Sequence, residues 1–207
     1  MAPEFNLKKK HSAFISKNFK WEERSNETIL IDVRDQNKVL DPYGVETKVE
    51  IYQDRVMGWF LDYGEQLKNK PDAEFVLLQI AVGYIEGNQQ LREGCSSKNR
   101  SEAFFKSAVK RIFGQEVLED DAVTLYEEVR CGLFHDGMPS KRVLLSNNFE
   151  TAIRHYEGGI YINSRLFFEK IKVDCLSYVR ELKQKDDPAL LRNFEKMFYF
   201  GQEESVR

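Results

Sequence analysis

FVLLQIAVGYI, residues 75–85, is the stretch of this chain that decides the expected fold. Wound into a helix, it is apolar on nearly every face, so other elements have to surround it on most sides. Pro71 and Asp72 before it are typical of the start of a helix, and Glu86 ends the apolar run. We therefore expect a helical bundle with this segment in its middle.

Amphipathic patterns on both sides of this segment supply the other helices. Apolar residues recur at spacings of three and four in the segments 45–68, 101–113, 119–135, 164–182 and 187–198. Ser101 and Gly114 are typical of the first and last positions of a helix, and the acids of 119–121 favour the positive end of a helix dipole. The expected fold class is mainly α, an up-and-down bundle of about five or six helices.

Two regions depart from the helical pattern. Residues 142–146 and 156–162 have the composition of strands, with Gly158 and Gly159 as turn residues, which predicts a small β-hairpin near 141–163 after the helix of 119–135.

We assign residues 1–40 to an N-terminal arm or extension and residues 41–207 to the helical domain. For residues 1–25, which are polar and basic, we expect a frayed, solvated terminus, with an arm that contacts nucleic acid as the alternative.

The composition excludes several protein classes. The chain has 207 residues with 42% hydrophobic content, enough for one domain with a substantial core. A net charge of −3 supplies no overall basic field, so any contact with nucleic acid has to be local. Three cysteines without a CxxC spacing suit neither a disulfide framework nor a zinc site. We expect a soluble, cytoplasmic protein without a membrane segment, cofactor or metal.

Arg130 is the residue whose position most needs an explanation. On the wheel of its predicted helix it falls inside an apolar arc with Val129 and Leu133. Because a guanidinium is always charged, a place on this arc requires an anionic partner. The candidates are Glu86, Glu127 or another acid of this chain, an acid of a second subunit, or a substrate phosphate.

His135 follows Arg130 at the end of the same helix. An imidazole exchanges protons near neutral pH and a guanidinium holds phosphate, and metal-free cleavage of a ribose-phosphate backbone needs these two groups. Five residues span about 140° on an ideal helix wheel, so the two side chains do not share a face. Either the helix loosens before Gly137, or two subunits combine their helix ends in one groove, which is the arrangement we favour. A structural ion pair of Arg130 is the alternative without catalysis.

Arg-x4-His at the end of the fourth helix of a bundle resembles the motif of the HEPN superfamily, the higher eukaryote and prokaryote nucleotide-binding domains. The resemblance covers about 45–136 and continues into the last helices, and it leaves residues 1–40 unexplained. It implies a metal-independent endoribonuclease that cleaves RNA by 2′-OH transesterification at the groove of a homodimer. It also implies a toxin or defence effector, controlled by an antitoxin or another regulatory protein.

Carried over to this chain, the resemblance makes Arg130 the phosphate-stabilising residue and His135 the acid–base residue. The supporting residues are Glu86, Glu127 and Asp136. Asp136 either orients the imidazole of His135 or serves as a turn residue. Many catalytic members carry a polar residue directly after the arginine, whereas this chain carries Cys131 there. The alternative function is therefore a catalytically inactive HEPN-like bundle that binds a protein partner or a nucleotide.

Overall fold

The computed structural model describes residues 12–24, 27–35, 38–139 and 141–200. The chain divides into two compact units. Unit 1 combines Met1–Trp59 with Phe198–Arg207, and unit 2 is the continuous segment Phe60–Met197. The proposed N-terminal extension of residues 1–40 thus belongs to a unit that also includes residues 41–59.

Unit 1 contains a four-stranded antiparallel sheet. Its strands, in spatial as well as chain order, are β1 (Ala13–Phe14), β2 (Phe19–Arg24), β3 (Glu27–Asp32) and β4 (Val39–Leu40). Phe19 of β2 and Leu30 of β3 are fully buried. Residues 12–24 are therefore not frayed, which corrects the expectation for this part of the terminus, whereas residues 1–11 lie outside the described residues.

The helix of unit 1 and its last described residues complete this core. α1 (Val45–Val56) contributes the buried Val49 and Ile51. The ring of Phe198 contacts Tyr52 at 6.5 Å between centroids, and the ring of Phe200 contacts Trp21 at 5.6 Å. Two distant stretches of chain thus share one set of aromatic contacts.

Helix α1 does not end at Val56. A π-helical segment, Met57–Leu61, continues it into α2 (Asp62–Leu67), so the chain is helical over the range that its apolar spacing predicts. A positive φ of 60° at Asp72 then marks the turn before the next helix. Pro71 and Asp72 lie in this turn rather than in the first turn of that helix.

Unit 2 is built around α3 (Glu74–Glu93). This helix packs against α4 (Ser101–Phe113), α7 (Ser164–Gln184) and α8 (Pro188–Met197). Its buried apolar side chains are Leu77, Leu78, Ala81, Val82, Tyr84 and Ile85. The central position of this helix agrees with its sequence, although Phe75 and Val76 in its first turn remain exposed.

The helix that carries the Arg-x4-His motif is irregular. It consists of α5 (Glu119–Thr124), a π-helical segment (Leu125–Cys131) and α6 (Gly132–His135). Gly137, with a φ of 75°, reverses the chain directly afterwards. The helix therefore ends where the sequence predicts, but its middle does not follow α-helical geometry.

A second, three-stranded sheet follows the motif helix. Its strands are β5 (Val143–Leu145), β6 (Ile153–Tyr156) and β7 (Gly159–Ile162), in the spatial order β5-β7-β6. β6 and β7 form an antiparallel hairpin that turns before Gly159, and β5 pairs with β7 in parallel. The predicted hairpin is present, and a third strand widens it.

The fold class is mixed α/β, so the prediction of a mainly α bundle with one small hairpin is wrong. The described residues form six continuous helices, within the expected number, together with seven strands in two sheets. The β-branched run of residues 29–33 indicates one strand of the sheet in unit 1, which is β3, but the sequence does not indicate the sheet, because β2 reads FKWEER, in which charged residues hide a short apolar alternation. Within the described residues, no helix has the length and apolar character that crossing a membrane requires.

Candidate functional site

The π-helical segment determines where Arg130 lies. Leu125, Val129 and Leu133 are buried at a spacing of four residues, and Arg130 follows directly after Val129. The side chain of Arg130 is 27% exposed, so it lies at the edge of the apolar stripe and not inside it as the helix wheel predicts. π-Helical turns are rare and occur frequently at functional sites.

Glu86 is the anionic partner of Arg130. Nη2 of Arg130 donates a hydrogen bond to Oε2 of Glu86 at 3.2 Å. The hydroxyl of Ser101 donates to the same oxygen at 2.8 Å, and the hydroxyl of Ser97 donates to Oε1 at 2.5 Å. One carboxylate, with a side chain 17% exposed, therefore joins α3, the following loop and the start of α4 to the motif helix.

The charge of Arg130 is maintained by its surroundings. Partial burial opposes the charge, but contact with the Cys131 thiol and the negative charge of Glu86 outweigh it, and the pKa of Arg130 is raised. Its Cζ lies 5.6 Å from the ring centroid of Tyr126 and 5.2 Å from that of Phe134. Among the described residues, Glu86 alone offers an oxygen acceptor to this guanidinium, so several of its N–H donors remain for a ligand.

His135 is the last residue of α6, and its side chain is exposed. The imidazole makes no hydrogen bond to any described residue, so no contact there fixes its tautomer. The side chain of Asp136 is likewise exposed and makes no described contact; its backbone N–H donates to the carbonyl of Gly132 at 2.8 Å. The structure thus places Asp136 at the helix end without coupling it to His135.

Glu127 contacts a different arginine. Its Oε2 lies 3.5 Å from Nη2 of Arg142, and the neighbouring Glu128 accepts hydrogen bonds from Nε and the backbone N–H of the same residue. Of the two named acids that were candidate partners of Arg130, the structure therefore pairs Glu86 with it and directs Glu127 elsewhere. Glu127 and Glu128 instead attach the start of β5 to the motif helix.

The segment after His135 folds back over the motif helix at Gly132. A Cβ at this position would lie 2.7 Å from the carbonyl oxygen of Met138 and 3.4 Å from Cα of Pro139. Only a glycine permits such a close approach of two backbone segments. The side chains of Phe134 and Met138 are exposed next to this crossing.

Sequence reasoning missed the two serines that bind Glu86. The sequence predicts Ser101 as the cap of α4, but Arg100 occupies the cap position and the hydroxyl of Ser101 donates a hydrogen bond to Glu86. Ser97 carries no local signal of its contact. His155 is half-exposed, and its Nδ1 lies 2.8 Å from Oδ1 of the buried Asp121 carboxylate.

A cavity of about 420 Å³ in unit 2 lies away from these residues. Its wall is formed by the end of α4, the segment before β6 and one side of α7. Two of the charged groups there form ion pairs, Arg111 with Asp174 and Lys170 with Glu116. No residue of the predicted site lines this cavity. Within the described part of the chain, no group of three or more His, Cys, Asp or Glu side chains is arranged to hold a metal ion.

Comparisons with other proteins leave the resemblance to the HEPN superfamily as a prediction from the residues alone. No protein-family model, no curated protein and no solved structure matches this chain.

Proposed function

We propose that this chain is a metal-independent endoribonuclease of the HEPN type, with Arg130 and His135 as its catalytic residues. The 2′-oxygen of a ribose attacks the adjacent phosphorus, and the bond from phosphorus to the 5′-oxygen of the next nucleotide breaks. The products are a 2′,3′-cyclic phosphate and a free 5′-hydroxyl. His135 takes the 2′-hydroxyl proton or supplies a proton to the leaving oxygen, and Arg130 stabilises the charge that develops on the phosphate.

The observation that carries this proposal is the charge and hydrogen bonding of the Arg130 and His135 side chains near the end of one helix. Arg130 is held in place by Glu86, keeps its charge and retains unused N–H donors toward solvent. His135 is exposed and has no hydrogen-bond partner among the described residues. A fixed cation and an unrestrained imidazole supply the two groups that metal-free phosphoryl transfer needs once one groove brings them together.

The proposal includes a homodimer. Two copies with adjacent helix ends would surround one groove with the Arg130 and His135 side chains of both chains. It also includes RNA as the substrate, a regulatory or antitoxin-like protein as a partner, and a cytoplasmic location. The three cysteines are unpaired, as is usual in a reducing compartment.

The ion pair between Arg130 and Glu86 favours a second candidate function. A charge that is already paired serves structure equally well, and such pairs occur in proteins without catalytic activity. In this alternative the chain is a catalytically inactive HEPN-like bundle that binds a protein partner or a nucleotide.

Cleavage of RNA in the presence of EDTA separates the two candidates. We expect the purified protein to cleave total RNA without added metal and to leave cyclic-phosphate ends, and we expect His135→Ala and Arg130→Ala to abolish this activity. His155→Gln, which replaces the other histidine of the described residues but keeps a donor toward the buried Asp121 carboxylate, is the matched control and should retain it. Undiminished cleavage by His135→Ala would refute the assignment, and absence of wild-type cleavage would favour the second candidate.

A further inference from the structure

We propose that Phe134 is a stacking platform for an unpaired base of the bound RNA. This inference rests on the proposed function, because it places the base next to the phosphate that Arg130 holds. It assigns a binding role to a residue between the two proposed catalytic residues.

The exposure of Phe134 is the first observation. The residue directly follows the buried Leu133, yet its own side chain is 55% exposed. Its described ring contact is with the guanidinium of Arg130, whose Cζ lies 5.2 Å from the ring centroid. A large aromatic ring is thus presented to solvent beside a cation that retains free donors.

Tyr126, the second aromatic residue beside Arg130, is packed against the protein. Tyr126 packs at 5.7 Å against the ring of Phe105, which is fully buried. Tyr126 is therefore anchored to the core of unit 2 and supports the guanidinium from the protein side. Phe134 is the ring that is open for a ligand.

The chemistry of this pair fits a nucleotide with an unstacked base. Stacking on an aromatic side chain tolerates any base, because every base has a π face. In an A-form duplex the bases are already stacked on one another, so only loops, bulges and single strands can present one. The adjoining phosphate then meets the remaining N–H donors of Arg130 in a charge-assisted contact. With a net charge of −3, the protein does not attract RNA at long range, so local contacts of this kind have to supply the affinity.

Fluorescence tests the platform without relying on activity. In a His135→Ala background, Phe134→Trp places an indole at the platform, and a single-stranded oligoribonucleotide should quench its emission while a duplex of the same sequence should not. The same background without the new tryptophan corrects for Trp21 and Trp59.

Affinity provides the second measurement, by fluorescence anisotropy of a labelled single strand. We expect Phe134→Leu, which keeps an apolar side chain but removes the π face, to weaken binding by about tenfold, and Phe134→Tyr to preserve it. Phe75→Leu is the matched control, since Phe75 is 45% exposed on α3 and lies on the order of 16 Å along that helix from Glu86.

The outcomes separate the platform from the nuclease. Quenching by single strands without any cleavage by the wild type would support the platform and overturn the proposed function. Cleavage that is equal for Phe134→Leu and wild type, on single and double strands alike, would overturn the platform and leave the nuclease. If Phe134→Leu turns a dimer into a monomer in light scattering, the ring belongs to a protein interface and the proposal is wrong.

Discussion

Removal of the Glu86 carboxylate should destabilise unit 2 more than removal of any exposed acid. Glu86→Ala deletes the acceptor of three hydrogen bonds, from Ser97, Ser101 and Arg130. It also leaves a partly buried guanidinium without its counter-charge, which adds to the loss. The substitution therefore acts on the contacts that connect α3 and α4 to the motif helix.

The expected magnitude follows from these contacts. A hydrogen bond to a charged group contributes about 1.5–3 kcal/mol, and the partial exposure of both side chains places each bond near the lower limit. Because the three bonds share one carboxylate, their contributions are not additive, and we expect Glu86→Ala to lower the free energy of unfolding by about 3 kcal/mol. Glu86→Gln keeps one acceptor oxygen, and a serine hydroxyl can rotate to accept from its amide, so we expect a loss of about 1 kcal/mol.

Urea denaturation followed by far-ultraviolet circular dichroism measures this difference. Tryptophan fluorescence is unsuitable, because Trp21 and Trp59 both belong to unit 1. Glu102→Ala is the matched control: this exposed acid on α4 contacts Lys106 at 3.4 Å one helical turn away, a pair that contributes about 0.3–0.5 kcal/mol. If Glu86→Ala and Glu102→Ala unfold at the same midpoint, the carboxylate of Glu86 does not hold the site together.

Three further predictions concern other parts of the molecule. Gly132→Ala places a methyl group against the Met138 carbonyl and should lower stability by about 1–3 kcal/mol, seen as a reduced Tm; an unchanged Tm would show that the segments separate freely. Burial raises the pKa of Cys175 to about 12, so mass spectrometry should find the other two cysteines alkylated in the folded protein and Cys175 only after unfolding. The hydrogen bond from Arg34 lowers the pKa of Asp32 below its ordinary value of 3.8, so the charge of Asp32 stabilises unit 1 above that pH and the effect disappears as the pH falls through the lowered pKa. Asp32→Asn should therefore be less stable than wild type at neutral pH and equal to it in strong acid, and a difference that persists in acid would contradict this origin.

The helices of unit 2 could be predicted because their signals are local. Gly94 and Gly114 end α3 and α4 with positive φ angles, which glycine adopts without strain. Asn163 and Asp187 begin α7 and α8 by accepting hydrogen bonds from the first backbone N–H groups. Each of these signals lies within a few residues of the boundary that it sets.

The sheets were predicted incompletely because strand pairing is not local. β5 is recognisable by composition, but no residue near it indicates its partner. Val143 pairs in parallel with Ile160 of β7, the second strand of the hairpin that follows β5 in the chain. In β2 the apolar alternation amounts to Phe19 and Trp21 among charged residues, which is too short to distinguish a strand from a solvated terminus.

The candidate site could be predicted in part, because the need for a partner of Arg130 is a local signal but the identity of the partner is not. A charged group beside an apolar core requires an anionic partner, so the sequence predicts a partner for Arg130 and offers Glu86 as one candidate. The choice between Glu86 and Glu127 depended on a contact across 44 residues of chain, which no helix wheel contains. The wheel also assumed α-helical geometry through Leu125–Cys131, where the helix is π-helical, and so placed Arg130 deeper than it lies.

The discontinuity of unit 1 affects the order in which the chain matures on the ribosome. Residues 12–59 emerge first, yet the rings of Phe198 and Phe200 that meet Tyr52 and Trp21 are synthesised only after all of unit 2. The helical segment of 60–197 is continuous and acquires its interior as it leaves the exit tunnel, whereas the earlier sheet stays incomplete until translation has passed Phe200. A released chain that ends just before Phe198 would therefore carry all of unit 2 and an N-terminal sheet that lacks its final aromatic neighbours.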